Sequence, residues 1–289
     1  MIQQERAMTT TRQEQLFNEL KMALAVTRQE DLNAWGKRSA AQLPKIASRR
    51  IRNLGALLSI LASFTGKELL NSIRAMGEGR LGKHFGNRTA AAIDGSIDIA
   101  NRVKSTVSAI ADTLYSDPKS NASGVLALAM GFLAGSGGLD ANGGIPDSDL
   151  ALGIGWHRSP FTHSIIAGTV VEGAILALAD LTGVIHDKLP PRHDPFWDKL
   201  LAAKDSIAIR LAQGASAGIA YHLGVDATLQ PGVYHDLPVS MPLEAHQTLF
   251  AMNAVAEGID VAHKKTGSFR KSCCRLIRRI TLWGFQAYR

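Results

Sequence analysis

An all-α fold is the expectation from three features of the chain. Apolar residues recur at three- and four-residue steps along most of its length, while alternating apolar and polar runs are scarce and no strand-turn-strand signal or internal repeat occurs. Alanine and glycine are plentiful and aromatics make up only 6%, a balance that suits closely packed helices better than an aromatic-rich β sandwich. A chain of 289 residues can also bury a core without covalent staples. The only cysteines, Cys273 and Cys274, are adjacent. Such neighbours rarely pair, so a disulfide framework is excluded and a reducing, cytoplasmic setting is expected.

The elements follow in order. The polar start, MIQQERAMTTTRQEQL, carries no apolar stretch of a secretory leader. Residues 9–33 should form an amphipathic helix with Leu16, Leu20, Leu24 and Val26 near one side, and Trp35 to Pro44 should break it. From Ile46 the pattern is helical again, basic first and apolar later, so its second half should be buried. Gly77, Gly79, Gly82 and Gly86 punctuate a polar connection. A helix from about Arg88 to Tyr115, with Ile93, Ile97, Val103, Val107 and Ile110 at helical spacing, ends at Ser116-Asp117-Pro118.

The apolar stretch near 122–135 is shorter than the roughly 20 residues a membrane span requires, and reads as a buried helix. After the glycine-rich loop GSGGLDANGGIPDSD, a long helix is expected from about Thr162 to Ile185. It has the length of a span, but Glu172 and Asp180 interrupt it. The turn-forming HDKLPPRHDP then precedes helices at 196–211, 212–229, 241–263 and 269–287, with PGVYHDLPVSMP as a loop between two of them.

Charge divides the chain into three. Residues 1–120 carry a formal +7, residues 121–263 carry −8 and residues 264–289 carry +8, with no acid after Asp260. The expected organisation is a basic helical N-terminal region (1–120), a metal-binding helical core (121–263) and a basic amphipathic C-terminal helix (264–289). An acidic centre attracts cations and basic ends attract anions, although ordinary solvated helix faces carry such charge as well. In the tail, Phe269, Cys273, Leu276, Ile277, Ile280, Trp283 and Ala287 fall on one helical face, with Lys271, Arg275, Arg278 and Arg279 mainly beside or opposite it. That pattern suits an anionic membrane surface. Packing against this domain, or against a second copy in a homo-oligomer, would use the same face.

The chemistry is concentrated at 143–168, GGIPDSDLALGIGWHRSPFTHSIIAG, where Asp147, Asp149, His157 and His163 are joined by Arg158 as the only other ionisable side chain. Asp-x-Asp in a turn is by itself Asx-turn or helix-cap chemistry, and a single histidine at a helix start is commonly a hydrogen-bonded core residue. Two aspartates followed by two histidines point instead to a metal site, because neutral imidazole gives a lone pair without adding charge. Thr162 could cap the helix beginning at His163. Further on, His222 and Asp226 are four apart and share one helical face. In so apolar a helix this pair must be ligated or hydrogen-bonded, or it costs several kcal/mol.

The series PDSD, HRSPFTHS and HLGVDATLQPG resembles the membrane-bound metal-dependent hydrolases of the YdjM type, relatives of the all-helical zinc-dependent phospholipase C and P1-type nucleases. The matched positions are Asp147, Asp149, His157, Arg158, Thr162, His163, Ser164, His222 and Asp226, within about 140–235. Leu150 stands where the pattern has a histidine, and Ser159-Pro160 where it has glycine. The resemblance implies a multi-helix bundle of the phospholipase C/P1 nuclease type with a helical N-terminal extension. It also implies a divalent ion held by Asp147, Asp149, His157, His163, His222 and Asp226.

Nitrogen and carboxylate donors without thiolate suit Zn²⁺ best, with Mn²⁺ or Fe²⁺ as alternatives. An ion so held would lower the pKa of water toward about 7. Asp149 or Asp226 could take the proton, and Arg158 could grip a phosphoryl oxygen with its two-pronged donor geometry. The expected function is metal-dependent hydrolysis of a phosphoester in phospholipid or nucleic acid, by a cytoplasmic protein peripheral to the inner face of the membrane. Two other classes remain open: a non-catalytic membrane-interacting protein with a structural metal, and a nucleic-acid binder using the basic ends. The basic segments, however, lack interleaved aromatics. His235, His246 and His263 could serve as extra ligands, but each, standing alone, is expected at surface or core.

Overall fold

The computed structural model describes residues 2–77, 118–153, 157–229, 233–235 and 240–266. Among these the protein is all-α, without strands. The helices are α1 (Ile2–Val26), α2 (Gln29–Gly77), α3 (Pro118–Ser136), α4 (Ile165–His186), α5 (Phe196–Thr228) and α6 (Leu243–Thr266), and a short 3₁₀ turn at Pro146–Leu152 lies between α3 and α4. The helices expected at 88–115 and 269–287, with the glycine-rich connection after Gly77, lie outside the described residues.

Helix α5 is the centre of the arrangement. Its 33 residues make a rod about 50 Å long, against which α3, α4 and α6 pack. The α3–α5 crossing is set by four glycines, two on each helix. A Cβ at Gly131 would come within 2.2 Å of the Leu211 carbonyl oxygen, and one at Gly135 within 2.3 Å of that of Ala215. Reciprocally, Gly214 and Gly218 face the Leu128 and Phe132 carbonyl oxygens at 2.0 and 2.3 Å. The backbones therefore touch, and close dispersion contact holds the pair together. On the other side of α5, Ile219, Leu223 and Ala227 pack with Tyr234 and with Phe250 of α6. Tyr234 and Phe250 stack with ring centroids 4.1 Å apart.

Several boundaries differ from the sequence expectation, for physical reasons visible in the packing. The break falls at Thr27-Arg28, not at Trp35 to Pro44, which lie within α2. There the Thr27 hydroxyl bonds back to the Ala23 carbonyl and Asp31 accepts the Arg28 N–H. The segment beyond is held helical by its contacts with α4: Trp35 donates to the Ala177 carbonyl, Arg38 pairs with Asp180, and Leu43 sits against Gly173. The two helices expected at 196–211 and 212–229 are one, because Gly214 lies in the backbone-to-backbone crossing. Helix α3 is buried only along its glycine face, since Leu126, Met130 and Leu133 are exposed. Helix α4 begins at Ile165, and its cap is Ser164, whose hydroxyl accepts the Ile166 N–H; Thr162 is engaged elsewhere.

The charge segregation has a structural consequence inside the fold. Arg49 and Arg50, from the basic N-terminal region, reach the acidic centre. Arg49 pairs with Glu172 on α4 and Asp260 on α6, and Arg50 pairs with Glu172, Glu257 and Asp260 and also donates to Ser216. Gly168 leaves room for the Glu257 carboxylate. Part of the acidic excess of residues 121–263 is thus answered by the chain's own arginines. Helix α4 is also long and apolar enough to cross a membrane, by length and composition. Here its buried Glu172 is ion-paired to α2.

Candidate metal centre

Three pieces of chain bring the site together. The loop after α3 folds back on itself, with Gly137 (φ +75°) and Gly144 (φ +78°) so close that a Cβ on either would strike the other's backbone. Ile145 N–H then bonds to the Ala134 carbonyl. This return places the 3₁₀ turn, with Asp147 and Asp149, beneath the end of α3. The second piece is the segment 157–164 leading into α4. The third is the last two turns of α5, which carry His222 and Asp226 one turn apart.

The Asp147 Oδ1 atom is the hub, 3.5 Å from His157 Nδ1, from His163 Nε2 and from His222 Nε2. Asp226 Oδ2 lies 3.6 Å from His163 Nε2 and 3.5 Å from His222 Nε2. Asp149 Oδ1 lies 3.6 Å from His157 Nδ1. These separations exceed hydrogen bonds. Asp147 Oδ1, Asp149 Oδ1, His157 Nδ1, His163 Nε2 and Asp226 Oδ2 are all buried without a hydrogen-bond partner. Orphaned polar atoms are costly and rare in a folded interior, and five of them facing one another make a donor set that a shared cation would satisfy.

Hydrogen bonding through Nδ1 orients the two buried imidazoles. The Thr162 hydroxyl has a single proton, and both acceptors in its reach, Asp149 Oδ2 at 2.5 Å and the Ser159 carbonyl at 3.2 Å, can only accept. Its contact with His163 Nδ1 at 3.0 Å must therefore be donated by the imidazole, which leaves the Nε2 lone pair for the cluster. His222 Nδ1 lies 3.2 Å from the Ser136 carbonyl, again an acceptor, so the ring donates from Nδ1 and turns Nε2 inward. The close α3–α5 crossing is what brings Ser136 within reach. Such fixed outer partners are characteristic of metal-binding histidine.

The four atoms Asp147 Oδ1, His163 Nε2, His222 Nε2 and Asp226 Oδ2 form a ring of edges at 3.5–3.6 Å. Two overlapping sets, Asp147 with His157 and His163 and His163 with His222 and Asp226, each bring one donor atom per residue within 4.8 Å of the others, close enough to share an ion. The residues fit a divalent ion. Charge agrees with geometry: burial would lower the basicity of His222, but Asp147 and Asp226 outweigh it and hold the imidazole at about 9. Burial likewise opposes ionisation of Asp147, yet His163, His222 and the Gly143 N–H keep it far below the usual carboxylate range.

Arg158 and Asp149 occupy the edge of the site. Arg158, in the left-handed region at φ +62°, turns its guanidinium onto Asp226 Oδ1 at 2.8 Å, while its carbonyl accepts the His235 N–H. It therefore holds the Asp226 carboxylate in place at the edge of the cluster. The side chains of His157 and Arg158 are 21% and 20% exposed, whereas His163 is sealed. Beside Asp149 a hollow of about 290 Å³ is lined by Ser148, Leu152, Ser159, Phe161 and Thr162.

All six residues expected as ligands thus meet in one place, with Asp149 and His157 on its outer side. Leu150, at the position of the expected histidine, is turned to solvent. His246 is buried but accepts the Tyr234 N–H, His235 is exposed, and the side chain of His263 lies outside the description. Residues not singled out from sequence as part of the site complete it. Tyr234 bonds to the His163 carbonyl, Asn253 caps the Ile165 N–H, and the carbonyl of Ser136 orients His222. Only their apolar or polar type is visible in sequence. No family model matches the chain, and comparison with curated proteins and with solved structures returns no match.

Proposed function

We propose that the chain is a metal-dependent hydrolase acting on phosphoester bonds. The observation that carries this reading is the set of orphaned nitrogen and oxygen atoms of Asp147, Asp149, His157, His163 and Asp226 that face one another with His222 at metal-ligand spacing. A bound divalent ion, Zn²⁺ by donor type, would supply Lewis acidity and activated water. Asp147, His163, His222 and Asp226 would hold it, and Thr162, Ser136 and Arg158 would keep those ligands oriented. Asp149, with one oxygen anchored by Ser159 and Thr162 and the other open toward His157, can hold a proton beside the hollow. Arg158, at the solvent edge, offers positive charge to an entering anionic substrate.

The resemblance noted in the sequence supports a bundle of the phospholipase C/P1 nuclease type, extended by α1 and α2. It also supports phospholipid or nucleic acid as the substrate class. We place the protein in the cytoplasm, peripheral to the inner face of the membrane, with the basic tail as the contact to anionic lipid.

A second reading is favoured by one observation. The side chains of Asp147, His163, His222 and Asp226 are at most 9% exposed, and a set of protein donors so sealed from solvent is typical of a structural metal, whereas catalytic sites keep an open position. In that case the chain is a non-catalytic helical protein that meets membrane or nucleic acid. Hydrolysis of bis(p-nitrophenyl) phosphate and p-nitrophenylphosphorylcholine by the zinc-loaded full chain separates the two. The hydrolase reading expects turnover that is lost in His163→Ala and falls at least tenfold in Asp149→Asn. Stoichiometric zinc with no turnover of either ester favours the structural reading.

A further inference from the structure

A second group of side chains of metal-ligating type lies at the opposite end of α5. His186 is in the last turn of α4, His193 in the following loop and Asp198 in the first turn of α5. His186 Nε2 and His193 Nε2 lie 3.0 and 3.1 Å from the same atom, Asp198 Oδ1, and the two rings meet edge-on with centroids 5.3 Å apart. His193 Nδ1 lies 2.9 Å from the Pro190 carbonyl. That oxygen can only accept, so Nδ1 carries the proton and Nε2 is turned toward His186 and Asp198.

We propose that His186, His193 and Asp198 form an independent surface site for a first-row transition ion, Zn²⁺ by donor type, that clips the α4–α5 connection shut. Two imidazoles and a carboxylate without thiolate are the donors such ions prefer. For bonds of about 2.05 Å, ligand atoms at right-angle to tetrahedral separation stand roughly 2.9–3.4 Å apart, which brackets both observed distances. The site differs from the buried centre in its access. Asp198 is 63% exposed, so an ion would keep solvent on its outer side and exchange readily. His222 is twenty-four residues further along the same helix, about 36 Å away, so no ligand is shared. The clipped loop also carries Asp194, which accepts Arg12 of α1 and whose N–H bonds to Glu19. Binding there would tighten the seat of α1 as well.

Two imidazole N–H groups could satisfy Asp198 Oδ1 without any metal, so the test reads metal directly. Co²⁺ absorption and chelator competition with Zn²⁺ are measured on the full chain, on His186→Ala/His193→Ala, on Asp198→Asn and on His163→Ala/His222→Ala. The double variant at His186 and His193 should lose one equivalent, and Asp198→Asn, at an exposed position that leaves the fold untouched, should weaken that equivalent at least tenfold. At zinc a hundredfold above Kd, the wild-type Tm should rise by about 5 °C more than that of the double variant. The variant at His163 and His222 should keep the outer equivalent, which separates this site from the buried one. Equal metal content and affinity in wild type and Asp198→Asn would overturn the proposal. So would the absence of any bound ion when the buried centre is disabled.

Discussion

Replacing Thr162 by valine tests whether the hydroxyl relay fixes His163 as a ligand. Valine matches the shape of threonine but removes three contacts at once: to Asp149 Oδ2, to the Ser159 carbonyl and to His163 Nδ1. Asp149 Oδ2 keeps the Ser159 N–H at 2.9 Å, so the carboxylate loses one of two donors. A buried acceptor so deprived costs about 1–3 kcal/mol of stability. The effect on metal is separate. With Nδ1 no longer held, the proton of His163 can move to Nε2, the atom that faces Asp147 and Asp226, and must be displaced before an ion binds. Loss of such an outer partner weakens metal affinity by about 10–100-fold, or roughly 1.4–2.7 kcal/mol. Competition with a chromophoric zinc chelator, on protein shown to be folded by circular dichroism, reads this directly. Thr162→Ser, which keeps the hydroxyl, should bind within about threefold of wild type. If Thr162→Val binds zinc as tightly as wild type while His163→Ala does not, the relay has no part in ligand orientation.

Three further outcomes follow from the geometry. In the metal-free protein His222 is raised from 6.5 to about 9 by Asp147 and Asp226 against the effect of burial. That stabilisation is fully present below about pH 6.5 and is lost as pH rises toward 9. The urea midpoint of the metal-free chain should therefore fall over that interval, while zinc affinity rises across it as the competing proton leaves; a flat midpoint in His222→Gln beside a sloping wild type assigns the effect. Arg50→Met should cost about 3–5 kcal/mol by leaving buried carboxylates without their cation, and an unchanged urea midpoint would show that Glu257 and Glu172 do not depend on it. Gly218→Ala would place a Cβ 2.3 Å from the Phe132 carbonyl oxygen. It should lower stability by about 1–3 kcal/mol and loosen the Ser136 contact to His222, so an unaltered Tm and zinc affinity would contradict the close crossing.

The helical class and the residues of the candidate site are more legible in the sequence than the path of the chain. His222 and Asp226 were legible because a four-residue step on an apolar helix leaves few other uses for them. Asp147, Asp149, His157 and His163 stood out because a glycine-rich loop has no structural need for so many donors. The boundaries were harder, since Trp35, Leu43 and Arg49 tie α2 to residues of α4 more than a hundred positions away. Local pattern carries no trace of them. Pro44 reads as a breaker yet sits within the helix. The basic N-terminal region likewise reads as a surface for external anions, but Arg50 is spent on internal carboxylates. The Thr162 relay needed geometry: a hydroxyl's role depends on which acceptors surround it.

Metal content measured on full-length protein purified without chelators, wild type beside His163→Ala, tests the central claim most directly. The account predicts zinc in at least stoichiometric amount in the wild type and one equivalent fewer in His163→Ala, with the helical circular-dichroism signal retained. Wild-type protein free of first-row metal and unable to take up Zn²⁺ on titration, or equal metal content in the two proteins, would contradict it.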